Sequence, residues 1–302
     1  MSLEQQVANL VEASNNLTTV VNGKINEIDK KVDDAVSAVP DAIRDNFTQR
    51  QVFVDLVNGT DDGSSSRYRT IKAAIESVPD GGSVLVELTS APEQKTYPFD
   101  DYVNIGSRKV IIKGGWSAME ADGYKAAILK PIAGKNTSLN RTYYKGFFSG
   151  EPGGRLYFMC CKVELPRIYE TSSIEHGASG AFISGGLTVT THNWNITGPH
   201  IYVEDGPDTQ PMPFLRSSAR DGKANLQDFT ISYTDIETSK ECAIFDLQYS
   251  TGTIRFAQYS STVSDDGGAS MLLQDLFSGI SYGDHGYATN IVANAGMLKQ
   301  VA

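Results

Sequence analysis

The chain has 302 residues, 40% of them hydrophobic and 21% charged, long enough for two domains and for a sizeable buried core. Its formal net charge is −10 and no Lys/Arg cluster appears anywhere, so the electrostatic footprint for holding phosphate backbones is missing, which argues against nucleic acid as a partner. No run of about 18 apolar residues exists, which excludes insertion into a membrane through a helix.

The first residues, MSLEQQVANL, lack a basic region, a continuous apolar core and a small-residue cleavage site, so no signal peptide is expected. Val7, Leu10, Ser14, Leu17 and Val21 then advance by alternating steps of three and four, a heptad seam with one polar interruption. Through Ile25, Ile28, Val32, Val36 and Val39 the seam takes two steps of four in succession, a stutter that unwinds a left-handed supercoil toward a nearly straight helix. A helix over residues 4–36 would be about 50 Å long. Asn15, Asn16, Asn22, Lys24, Lys30 and Lys31 fill the other faces, and a helix this polar buries too little to be stable alone. The stripe therefore predicts self-association through Val7, Leu10, Leu17, Val21, Ile25, Ile28 and Val32, with β-branched residues at both core positions favouring three strands. An amphipathic helix folded back on its own domain is the alternative. Pro40 is expected to end the helix or to start a short second one.

Residues 52–88 read as strand, loop, helix, turn, strand. Val52 and Val54 alternate, NGTDDGSSS is punctuation, RTIKAAIESV carries a helical stripe at Ile71, Ala74, Ile75 and Val78, and PDGG breaks it. Val84, Val86 and Leu88 then share one face of a second strand. Beyond residue 90 only short strands follow, among them KVIIKGGW, GRLYFMCCKVEL, AFISGGLTVTTHNW and LQDFTISYTDI. The spacings from Leu85 to Ile111 and from Tyr157 to Phe182 come near one turn of a solenoid. AIFDLQYSTGTIRFAQY reads instead as an antiparallel hairpin turning at 250–253, which leaves room for a regular solenoid that stops before the C-terminus.

GTDDG followed by RTIKAAIESVPDGGSVLVEL resembles the entry module of right-handed parallel β-helix proteins, the superfamily of pectate lyases and phage tailspikes, in which a helix covers the open end of the first coil. MSLEQQVANLVEASNNLTTVVNGKINEIDKKVDDAV resembles the N-terminal segment of tail fibre and tailspike proteins of tailed bacteriophages, where a helical leader attaches the fibre to the virion. The two resemblances cover residues 1–36 and 52–88, and residues from about 90 onward match neither. Together they imply a homotrimer located in the virion and made in the host cytoplasm. Its partners would be other phage tail or baseplate proteins, through the N-terminal segment, and a host surface glycan. The expected fold is mainly β. An N-terminal α-helical, trimeric coiled-coil segment over 1–50 precedes a right-handed parallel β-helix or β-prism-like body over 51–302, with the capping helix and first coil in 51–90 and the short strands in 91–302. A β-sandwich is the structural alternative.

Cys160, Cys161 and Cys242 make neither a disulfide framework nor a C-x-x-C pair and read as buried thiols; the adjacent two would face opposite sides of a strand and could not serve one metal. His176, His192, His200 and His285 lack metal-ligand spacing, and no phosphate loop or G-x-S-x-G occurs, so no cofactor or metal is expected. Tailspikes often cleave polysaccharide, which in a hydrolase takes two carboxylates about 5–10 Å apart. Glu164, Glu175, Asp205, Asp235 and Glu237 stand near strand ends, and Asp235 and Glu237, two apart, would share a face. Yet 36 acids produce such pairs by chance, and SYTDIET is a polar setting that favours two ionised carboxylates. No catalytic site is expected, with Asp235 and Glu237 the weak candidates. Tyr143 and Tyr144 in NRTYYKGFF and Trp194 in THNWN are candidate glycan contacts by ring stacking, against packing in the core or between subunits. The function expected is that of a structural, adsorptive tail fibre or short tailspike; the alternatives are a polysaccharide-degrading tailspike and an internal baseplate or collar adaptor.

Overall fold

In a computed structural model the chain divides into two compact units, Met1–Phe47 and Thr48–Ala302. The structure describes residues 2–47, 49–89, 96–114, 127–191, 199–205, 209–218, 228–232, 234–238, 243–249, 253–265 and 267–293. Trp194, His192 and Cys242 lie outside the described residues.

The first unit is one helix, α1, Leu3–Phe47. At 1.5 Å per residue it is about 68 Å long. It runs on through Pro40, so the expected break is absent: the proline removes one backbone donor from the ladder without ending it. On its polar side Glu27 accepts from Lys24 (2.6 Å) and Lys31 (2.9 Å) one turn before and after it. All of the predicted seam is exposed, from Val21 at 46% to Leu10 at 71%, and Val11 and Val20 widen it. Apolar rows of this length left in water mark an interaction surface. No helix among the described residues is long and apolar enough to cross a membrane.

The second unit is built from short strands, and the chain visits three sheets in fixed rotation. Ser83–Leu88 belongs to a nine-stranded first sheet, Thr96–Phe99 to a six-stranded second sheet and Tyr102–Asn104 to a six-stranded third sheet; Lys109–Gly114 then returns to the first, beside Ser83–Leu88. The same circuit repeats until Ile291–Ala293 pairs with Ile254–Tyr259. Among the described residues every strand pairing within the three sheets is parallel, and the topology is that of a coil, compatible with a β-helix.

Alternation explains why each strand sits where it does. Ser83–Leu88 buries every second residue, Val84, Val86 and Leu88, as its period of two predicts. Successive rungs align these positions: Val52 pairs with Val86 and Val86 with Ile112. At the corner leading into the third sheet a column of rings forms. Phe99, Phe148, Phe182, Phe214, Phe245 and Phe277 follow one another with centroids 4.6 to 6.4 Å apart.

Leu85 pairs directly with Ile111, as the spacing suggested. Tyr157, however, pairs with Thr190, not with Phe182, whose carbonyl accepts from Phe148 at the ring corner. The expected hairpin is also corrected: Phe245–Tyr249 lies in the third sheet and Ile254–Tyr259 in the first, so 250–253 joins two sides of one coil. The short gap misled because a corner of a coil and a hairpin turn take similar lengths. Within the same logic GRLYFMCCKVEL is two strands, bent at Cys160, whose φ of 49° turns the chain, and AFISGGLTVTT is bent at Gly185, φ 95°. Cys160 is thus at a corner, not on a strand, while Cys161 is buried and burial pushes its thiol pKa up to about 12.

A short helix, α2, Ile71–Glu76, lies against the first coil and buries Ile71, Ala74 and Ile75, with Val78 just beyond it. Thr70 caps it, accepting from the Ala73 N–H at 3.1 Å. Thr70→Ala is expected to lower stability by about 1 kcal/mol, measured by urea unfolding.

Candidate functional site

The outer face of the second sheet brings a cluster of ionisable groups together. Lys162, His200, Asp235 and Thr262 stand in one register column, Glu164, Tyr202, Glu237 and Ser264 in the next. Asp235 and Glu237 do share that face, with Ile236 buried between them. Each is already engaged: the Thr262 hydroxyl donates to Asp235, and Glu237 Oε2 lies 3.2 Å from His200 Nε2. The His200 ring stacks on Tyr202 (5.1 Å), whose hydroxyl donates to Glu164 at 2.8 Å. Lys130 Nζ bridges Glu164 (2.5 Å) and Glu204 (3.3 Å), and the Glu164 hydrogen bond raises its pKa against the opposing effect of burial. The face is a mesh of hydrogen bonds and ion pairs, with Lys162 Nζ over the Tyr202 ring at 5.9 Å and Asp235 open to solvent.

Burial, then the charge of Lys162, push the His200 pKa below its ordinary value, against the attraction of Glu237 and Asp235. The folded state therefore resists protonating this ring. Its stabilising effect is present above the unfolded value of about 6.5 and is lost as pH falls below it. Thermal stability should decline on acidification from pH 7 to 5, and His200→Gln should flatten that decline.

Beside this face, where Lys130 and Glu204 end it, an insertion adds a small three-stranded sheet. Ala133–Asn136 pairs antiparallel with Arg141–Tyr144, which pairs with Ser173–Ile174. Thr142 ties the insertion together, its hydroxyl 2.6 Å from the Ser172 hydroxyl and accepting from the Tyr169 N–H at 3.0 Å. Between Pro131–Ile132–Ala133 and Pro166–Arg167–Ile168–Tyr169 lies a cleft of about 400 Å³, with Lys130, Glu170 and Glu204 at its margin. Arg167 is held there by the carbonyls of Glu204 (3.0 Å) and Thr209 (2.7 Å).

Comparison with family models, with characterised proteins and with solved structures finds no match. What the site does must be read from its own chemistry. Tyr144, a candidate glycan contact, is corrected: it is buried, donating to the Met212 carbonyl at 3.3 Å, because its strand turns this residue inward. Tyr143 is half-buried and covers Gly134 of the neighbouring strand, where an added Cβ would come within 2.7 Å of the ring. Glu175 is spent on structure: burial alone would raise its pKa, but the His176 N–H and Arg141 (3.1 Å) hold it below the usual carboxylate range. Asp205 is exposed just past strand His200–Val203. The cleft-lining Ile132, Arg167, Tyr169 and Glu204 were not singled out in the sequence, since three separated segments supply them and no local pattern connects them.

Proposed function

We propose that the chain is a structural, adsorptive protein of a tailed bacteriophage: a homotrimeric tail fibre or short tailspike. The observation that carries this reading is the exposed seam of α1, a row of apolar side chains over the length of a long helix that three copies would cover. The helix then serves as trimerisation and virion-attachment segment. The coil is read as a right-handed parallel β-helix, the hand that parallel crossovers take in nearly all sheets. Its repeated surface would contact the host, where three weak sites gain by avidity.

Sedimentation should give three chain masses of 32.7 kDa each, and purified protein should compete with phage for adsorption. A monomer that does not compete would overturn the reading. The engaged state of Asp235 and Glu237 favours a non-catalytic face over a depolymerase. Asp235→Ala combined with Glu237→Ala is expected to leave adsorption and host polysaccharide unchanged, assayed by new reducing ends or by unsaturated ends absorbing in the ultraviolet. Loss of a depolymerase activity in that double variant would instead establish the enzymatic alternative.

A further inference from the structure

The strand Ala133–Asn136 is an edge of its three-stranded sheet: it pairs with Arg141–Tyr144 on one side and with no described strand on the other. An edge presents a row of backbone donors and acceptors that another extended chain can pair with. The cleft begins at the same residue, since Ala133 lines it, so backbone pairing and side-chain insertion are available together.

The walls of the cleft are aliphatic and aromatic: Pro131, Ile132 and Ala133 on one side, Pro166, Ile168 and Tyr169 on the other. Tyr169 is 45% exposed at the cleft, so part of its ring is open to a ligand. The cations at the margin are already committed, Lys130 to two carboxylates and Arg167 to two carbonyls. Among the charged residues lining the cleft Glu170 is the exposed one, so the charge the cleft itself leaves to meet a ligand is negative, while Lys135 stands exposed further along the edge strand. An apolar centre with a charged rim suits a side-chain anchor from a protein more than a sugar, which would need free donors for its hydroxyls.

We propose that this edge and cleft dock an extended segment of a protein partner. The segment adds as a strand beside Ala133–Asn136, places an aliphatic side chain in the cleft, and sets a Lys or Arg against Glu170. Alternate residues of a strand face opposite ways, so one side chain of the segment enters while its neighbours point out, which gives the pairing its register. The proposal rests on the reading that the body of the protein meets another macromolecule, and it makes that macromolecule a protein.

The test uses the full-length chain and a capped octapeptide of alternating valine and lysine, with a valine–glutamate octapeptide and maltohexaose as comparators. Amide hydrogen exchange over 133–136 is expected to slow with the lysine peptide, and affinity for the glutamate peptide to be at least about ten-fold weaker. Glu170→Lys should invert that preference, and Ala133→Trp, which fills the cleft, should abolish the protection. Absence of protection with the lysine peptide, protection by maltohexaose instead, or a preference unmoved by Glu170→Lys would each overturn the proposal. A monomeric chain that fails to compete with phage would defeat the fibre reading while leaving these peptide measurements to decide the docking site separately.

Discussion

Ile28→Asp is expected to turn a trimer into single chains of 32.7 kDa in sedimentation. Ile28 lies in the middle of the α1 seam and is 57% exposed in the single chain, so the substitution removes little packing that the chain makes by itself. Its cost falls on association. Three symmetry-related carboxylates would meet at one level of the bundle, where like charges cannot pair and each loses its water at a cost of several kcal/mol. Lys24 and Lys31, four residues before and three after Ile28, flank this position, but both are already drawn to Glu27 (2.6 and 2.9 Å), so neither is free to neutralise the new carboxylate. Lys30→Asp, on the face opposite Ile28, serves as control and should leave the mass unchanged. Ile28→Asp protein that still sediments at three chain masses would remove the helix from the interface.

The second large effect lies inside the body. Arg216 is 3% exposed on the outer side of the third sheet, covered by the segment around 175–181. Its Nε donates to Asp246 Oδ2 at 2.7 Å, and its Nη1 donates to the carbonyls of Glu175 (2.6 Å) and Gly177 (3.0 Å). Asp246 in turn accepts from the Ser278 hydroxyl (3.2 Å) and the Gln248 N–H (2.9 Å) through Oδ1. The pair therefore joins three consecutive rungs and clamps the covering segment, which passes so close that a Cβ at Gly180 would come within 2.0 Å of Arg216 Nη1. Asp246→Ala leaves a guanidinium buried without its counter-charge and is expected to cost about 3–5 kcal/mol. Urea unfolding measures it. Replacing both partners by apolar residues, Arg216→Met with Asp246→Leu, should recover much of that loss, because the penalty comes from the orphaned charge more than from the absent attraction. If the single and double variants are equally unstable, the stability comes from packing of the covering segment and not from the ion pair.

Much of this architecture was legible in local patterns. A period of two reports which side of a strand is buried, and Val84, Val86 and Leu88 are the inward residues that alternation names. The stripe Ile71, Ala74, Ile75 and Val78 marks the buried face of α2 and the residue just past it, because a turn of 3.6 residues brings those positions together. Steps of three and four likewise mark an apolar row on α1, although nothing in them foretold that the helix continues through Pro40 to Phe47. Asp235 and Glu237 were rightly placed on one face, since that too is a matter of alternation.

Pairing between distant segments was another matter. Leu85 and Ile111 align after a short circuit, but Tyr157 aligns with Thr190, because each coil carries insertions of its own length and no fixed period survives them. Whether two strands separated by a few residues fold back on each other or turn a corner depends on which older rung offers a free edge, and that decided against a hairpin at 250–253. The burial of Tyr144, the ion pair of Arg216 with Asp246 and the cleft between Ile132 and Tyr169 arise from the same source. By itself the sequence determined periodicity, and with it the inward face of each element and the unpartnered seam of the helix. Only the tertiary structure decided which inward and outward residues become neighbours, because stacking one coil on another joins residues whose separation along the chain carries no information about their contact.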